Sequence, residues 1–206
     1  MTDLLNILLP PGKISLKIGL YFGSFNPVHI GHMAIANYLV EYGEIDQLWF
    51  VVTPHNPLKK KENLLNDYDR LEMMHIAVGD DFRFRVSDIE FRLPKPSYTI
   101  DTLAYLTEKF PSHHFYIIMG SDNLANFHKW KNYEEIIRNH RIIVYPRPGF
   151  EISEEQGTSH FRLVHAPLME ISSTFIRDAV KAGKNVRHFL PPGVWDYLDK
   201  MGYYRT

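Results

Sequence analysis

Two histidines, His29 and His32, stand three residues apart in the stretch GSFNPVHIGH at 23–32. If this stretch opens a helix, residues i and i+3 share a face and the two imidazoles converge. Gly31 between them keeps a side chain out of the approach, while Gly23 and Ser24 let backbone N–H groups come close to a ligand. A helix beginning near 27–31 points its positive end at the same place, so an anion is the natural guest. Imidazoles that donate hydrogen bonds there suit a phosphate whose charge grows in a transition state. Two other readings compete. The histidines could be zinc ligands, but a third and fourth ligand would be needed and the chain has no cysteine. They could also be ordinary helix-start residues, against which stands their clustering with two glycines and Asn-Pro.

The surrounding pattern supplies elements that would position the turn. Residues 14–22 (ISLKIGLYF) are apolar and β-branched, and 33–41 carry apolar residues at helical spacing up to a glycine stop at Gly43, so the stretch is a strand-to-helix crossing. Residues 45–53 (IDQLWFVVT) read as a strand buried on both faces, followed by the rigid basic loop PHNPLKK at 54–60. At a strand's carboxyl end His55, Lys59 and Lys60 would face a ligand crevice, though a solvated basic loop is equally consistent. Residues 68–78 form a helix with Asp69, Arg70 and Glu72 on its polar face, and 82–86 alternate as a strand. A helix follows from SYTIDTL at 97–103, with Ser97 or Thr99 as its N-cap; capping is favoured there over carboxylate binding. The strand 114–119 ends in GSDNL, which places Asp122 at the crevice, suited to a ribose hydroxyl, a metal-bound phosphate or a helix cap. Trp130 stands on the next loop, where it would stack on an aromatic ring or anchor the loop. A helix at 133–139 and strands at 141–145 and 162–166 follow, with a weakly patterned, mobile segment at 150–161 between the strands. Ser172 or Ser173 caps a helix running to Gly183, with Arg177 one turn in, and an amphipathic helix in VWDYLDKM at 194–201 caps the sheet edge.

Strands alternating with helices predict an α/β fold with a doubly wound, mostly parallel sheet and a small C-terminal helical cap. At 206 residues the chain accommodates one such domain, at 14–206, with residues 1–13 as an appendage. Its 23 Lys and Arg against 24 Asp and Glu leave no basic field for a nucleic-acid backbone. No apolar run reaches the 18 or so residues of a membrane span. The absence of cysteine excludes thiol catalysis and disulfides and fits a cytoplasmic protein. Oligomeric state stays open, with a homo-oligomer allowed. No G-x-x-x-x-G-K-[ST] loop, G-x-G-x-x-G fingerprint or nucleophile elbow is present, so the chemistry favoured is nucleotide transfer by positioning and electrostatics.

The ten residues at 23–32 resemble the His-x-Gly-His signature of the nucleotidyltransferase superfamily. Together with PHNPLKK, SYTIDTL, GSDNLANFHKW, Arg-Pro-Gly at 147–149, ISSTFIR and LPPGVWDYL in this order, the chain from Lys17 to Tyr204 is similar to the bacterial nicotinate-mononucleotide adenylyltransferases. The resemblance implies a Rossmann-like fold and transfer of the adenylyl group of ATP to nicotinate mononucleotide with Mg²⁺ in attendance and no resident metal. It assigns His29, His32 and Arg177 as catalytic. Gly23, Ser24, Phe25, Lys59, Asp122, Ser172 and Thr174 join them in binding ATP. Asn26, the backbone N–H of Thr99 and the ring of Trp130 would bind the acceptor. Lys131 departs from the pattern, since relatives often carry an aromatic residue or histidine there. Related readings are a sibling enzyme using nicotinamide mononucleotide or phosphopantetheine, a non-catalytic nucleotide-binding regulator, and a plain interaction domain.

Overall fold

In a computed structural model, which describes residues 15–54, 64–150 and 160–205, six strands form one sheet in the order β3-β2-β1-β4-β5-β6. They are β1 (Lys17–Gly23), β2 (Gln47–Val52), β3 (Phe84–Ser87), β4 (His114–Gly120), β5 (Arg141–Tyr145) and β6 (Phe161–Leu163). Every pairing is parallel, so the sheet is wholly rather than mostly parallel. The helices are α1 (Ile30–Tyr42), α2 (Asp67–Val78), α3 (Ile89–Arg92), α4 (Thr99–Lys109), α5 (Ser121–Leu124), α6 (Tyr133–Asn139), α7 (Ser173–Lys181) and α8 (Val194–Met201).

The two faces of the sheet follow from the period of two in a strand. Leu48, Phe50 and Val52 of β2 enter one core with Ile35 and Leu39 of α1, Met73 and Met74 of α2 and Ile176 of α7. Trp49 and Val51 enter the other with Leu103 and Leu106 of α4 and Ile136 of α6. Helices therefore cover both faces, as a buried parallel sheet requires. The strand order reverses between β1 and β4, which opens a crevice at their carboxyl ends.

Two expectations need correction. The helix over VWDYLDKM does not cap the sheet edge: α8 packs on α2, and its Val194 and Leu198 join the α1–α2 core. Arg70 does not lie on a polar face, because it is completely buried. The appendage at 1–13, Lys59 with its neighbours His55 and Lys60, and most of the segment at 150–161 lie outside the described residues.

Candidate active site

The turn after β1 is folded by its own side chains. Phe25 has φ +44, in the left-handed region, and its buried ring lies so close under Gly23 that a Cβ there would be 2.8 Å from it. Glycine is thus required at 23 for contact as much as for ligand approach. The Phe25 ring meets Tyr21 and Phe50 edge-on and lies 5.1 Å from the His32 ring, so the floor of the site is aromatic. Beneath it the hydroxyls of Tyr21 and Tyr145 are hydrogen-bonded at 3.0 Å.

Three carbonyls of the turn accept from side chains that reach it from α2 and α7. Arg70 binds Ser24 O at 2.6 Å, Arg177 binds Asn26 O at 2.8 Å and Ser173 binds Pro27 O at 2.9 Å. Tyr204, in the last residues of the chain, donates to Asn26 Oδ1 at 2.6 Å, and Leu65 N–H donates to the same oxygen at 3.2 Å. Asn26 is buried and lines neither basin described below.

Helix α1 begins at Ile30, inside the 27–31 start read from the sequence, so His29 is its N-cap and His32 lies in its first turn. The rings converge, with centroids 3.7 Å apart and planes at 30°. The His29 N–H donates to His32 Nδ1 at 3.2 Å, which assigns the proton of a neutral His32 to Nε2 and makes that nitrogen a donor. His29 is 3 % exposed, and its Nδ1 is buried without a hydrogen bond of good geometry. Burial, aided by the positive charge of Arg147, lowers its pKa from 6.5 to about 4, so it is neutral near pH 7. Gly31 does more than clear the approach: a Cβ there would be 3.0 Å from His29 Nδ1 and 3.4 Å from Met169.

Two basins open at the crevice. The first, of about 280 Å³, is lined by Gly23 and Ser24 after β1, Thr53 after β2, Tyr98 and Thr99 at the start of α4, and Trp130 with Lys131. Thr99 is not the N-cap of α4 and neither is Ser97. Tyr98 holds that position with no side-chain cap, so the helix start is free of the capping that the sequence favoured. Ser97 turns instead to Glu90, a carboxylate only 2 % exposed that accepts from Ser97 Oγ at 3.3 Å and Thr102 Oγ1 at 2.9 Å. Burial raises the Glu90 pKa.

The second basin, also about 280 Å³, lies among Asp122 after β4, Arg147 after β5, and the segment from Met169 to Ser172 that leads into α7. Ser172 is the N-cap of α7, its Oγ accepting from Phe175 N–H at 3.1 Å. Arg177 Nη2 donates to Thr174 Oγ1 at 3.2 Å while Nη1 donates to Asn26 O, so α7 is tied to the turn after β1. Asp122 Oδ1 is buried without a hydrogen bond, with Arg147 Nε 3.9 Å away. Of the residues the sequence singled out, Thr99 and Trp130 come together in one basin, and Asp122 and Ser172 in the other. The sequence did not single out Arg70, Glu90, Arg147 or Tyr204, of which only Arg147 carried a signal, the Arg-Pro-Gly after a strand.

A crevice at a switch point, two basins opening on it and a paired-histidine helix start are features that suit a nucleotidyltransferase. A family model described as cytidylyltransferase-like matches residues 20–179, and the chain belongs to that family. It is 54 % identical over 192 residues to a Flavobacterium psychrophilum protein named "Probable nicotinate-nucleotide adenylyltransferase", covering 92 % of this chain and 100 % of that one. A Bacteroides thetaiotaomicron protein of the same name is 53 % identical, with 89 % and 91 % covered. Within the family the chain belongs to the nicotinate-nucleotide adenylyltransferases. The fold is also that of the Plasmodium falciparum nicotinic acid mononucleotide adenylyltransferase complexed with NaAD (TM-score 0.78, 21 % identity, 92 % of this chain and 98 % of that chain).

Proposed function

We propose that this enzyme joins ATP and nicotinate mononucleotide to give nicotinate adenine dinucleotide and pyrophosphate, a step of NAD biosynthesis. The observation that carries the reading is the His29–His32 pair on the turn that also contributes Gly23 and Ser24 to the first basin. A 5′-phosphate oxygen of the acceptor attacks the α-phosphorus of ATP; the new P–O bond forms as the α–β bridging P–O bond breaks and pyrophosphate leaves. The attacking phosphate is already ionised, so no general base is needed, and catalysis consists of alignment and charge stabilisation.

In this reading the N–H groups of the turn at Gly23, Ser24 and Phe25 and the donors of His29 and His32 hold the phosphates. Ser172, Thr174 and Arg177 at the start of α7 form the second wall, to which Arg147 adds charge. Asp122 meets the nucleotide ribose. Trp130 stacks on the pyridine and the uncapped start of α4 at Thr99 receives its carboxylate. Asn26, buried and hydrogen-bonded by Tyr204 and Leu65, helps to hold the shape of the turn. Asp122 and Glu170 are the carboxylates of the second basin, and Asp122 Oδ1 is buried there without a hydrogen bond, so these two residues would meet Mg²⁺ arriving with ATP. The ion would supply positive charge that offsets that of the phosphates. Among the described residues no helix is long and apolar enough to cross a membrane, and we place the reaction in the cytoplasm.

The test is pyrophosphate release from ATP with nicotinate mononucleotide, nicotinamide mononucleotide and phosphopantetheine offered separately. Rapid release with the first is expected. Faster release with either of the others would overturn the acceptor assignment, and release with none would overturn the reaction.

A further inference from the structure

Lys131 has no part in the reaction as described, yet it stands at the edge of the first basin beside Trp130 and Thr99. Its ammonium lies 4.7 Å from the centre of the Tyr98 ring. It also donates to Asp101, at 3.0 Å to Oδ2 and 3.1 Å to Oδ1. Asp101 is in the first turn of α4, so a cation, an aromatic ring and a helix start meet along one rim. The other charged side chains lining the basin are differently engaged. Lys129 is drawn back onto Asn126 Oδ1 at 2.8 Å, and Glu90 is enclosed by hydroxyl donors.

We infer that Lys131 is a specificity-determining residue, which makes this site favour an acceptor ring bearing a carboxylate over one bearing a carboxamide. The inference rests on the reaction proposed above. A carboxylate and a carboxamide have nearly the same shape, so stacking on Trp130 cannot separate them, and one unit of charge can. The Lys131–Asp101 pair is half-exposed, with side chains 43 % and 44 % accessible, and such pairs are weak. The ammonium can therefore turn to a second carboxylate while the Tyr98 ring keeps it over the rim. Asp101 carries the opposite sign at the same place and works against the preference. The two partners of one ion pair thus have opposite effects on one ratio, which loss of a merely structural contact would not produce.

The experiment measures kcat/KM for nicotinate mononucleotide and for nicotinamide mononucleotide and compares their ratio across variants. Lys131→Met is expected to lower the acid-over-amide ratio about tenfold, mainly through KM for the acid, as loss of one partly exposed charge contact implies. Lys131→Arg, which keeps the charge and stacks on Tyr98, is expected to retain the preference, and Asp101→Asn to raise it. A wild-type enzyme that prefers the acid while Lys131→Met keeps the same ratio overturns this inference and leaves the reaction standing. A wild-type protein that releases pyrophosphate with neither acceptor overturns the reaction and the inference with it.

Discussion

The guanidinium of Arg70 donates a 2.6 Å hydrogen bond to the carbonyl of Ser24, joining α2 to the turn after β1 across 46 residues of chain. Its other donors go to Thr53 O, Pro54 O, Leu65 O and Asp67 Oδ1, so all five are satisfied in a fully buried setting. One side chain thereby sets the position of the β1 turn relative to the loop after β2. Arg70→Lys keeps the charge but lacks the planar fork, and Arg70→Met leaves four backbone carbonyls without their side-chain partner. We expect Arg70→Met to cost on the order of 3 kcal/mol in urea unfolding, with Arg70→Lys intermediate. A loss below about 1 kcal/mol in Arg70→Met would mean that the turn is held mainly by Arg177 and Ser173.

His29 gives the protein a defined response to acid. Above pH 6.5 the imidazole is neutral in both folded and unfolded states and contributes no slope. Between pH 6.5 and about 4 the unfolded chain takes up a proton that the folded site refuses, so stability falls with decreasing pH. Integrated over that window the loss is up to about 3 kcal/mol, and it levels off below. His113 and His140 are also held below their ordinary value by burial, so the informative quantity is the difference between wild type and His29→Asn. The variant should show a shallower decline from pH 6.5 to 4 in denaturant midpoints. Parallel curves would contradict a neutral, buried His29.

The sheet was legible because most of its strands are continuous apolar runs, as strands buried on both faces are; in β2 Leu48 and Phe50 face one core and Trp49 and Val51 the other. The histidine pair was legible because i,i+3 spacing at a helix start forces convergence. Arg70 was hidden: in the sequence it is one charge among Asp69 and Glu72 on a helix, and what buries it are carbonyls of Ser24 and Thr53, distant in sequence. Tyr204 was hidden in the same way, since nothing near it in sequence announces Asn26 as its partner. The N-cap of α4 was misread because Ser97 and Thr99 have capping chemistry. A buried carboxylate seven residues earlier, Glu90, draws the Ser97 hydroxyl away.

Glu90 leads to a prediction with opposite signs for two substitutions. Burial raises its pKa, so the folded state holds the proton to higher pH than the unfolded chain, and the cost of ionising it grows as pH rises above the ordinary carboxylate range. Glu90→Gln keeps an acceptor for Thr102 and removes the charge. It should melt at or above the wild-type temperature at pH 7.5. Glu90→Ala leaves the hydroxyls of Ser97 and Thr102 without their acceptor and should cost about 2 kcal/mol. Because these residues flank Tyr98 and Thr99, Glu90→Ala should also raise KM for the acceptor. Equal destabilisation by Gln and Ala would show that an ionised carboxylate is required.

His32 is the sharper test of the chemistry. Its Nδ1 is occupied by the His29 N–H, so Nε2 is the nitrogen that can donate to a phosphate oxygen, and its ring is braced by Phe25 and by His29 itself. Removing one such donor from a preorganised site typically costs a hundredfold or more in kcat, about 2.7 kcal/mol on the transition-state scale. His32→Ala is therefore expected to lower kcat by at least about a hundredfold with a much smaller change in KM for ATP. His32→Gln, which can place an N–H near the same position, should recover part of the loss. The His32 side chain is only part of the aromatic floor, so folding is checked by circular dichroism and by the denaturant midpoint. A folded His32→Ala enzyme turning over at the wild-type rate would remove the histidine pair from the reaction.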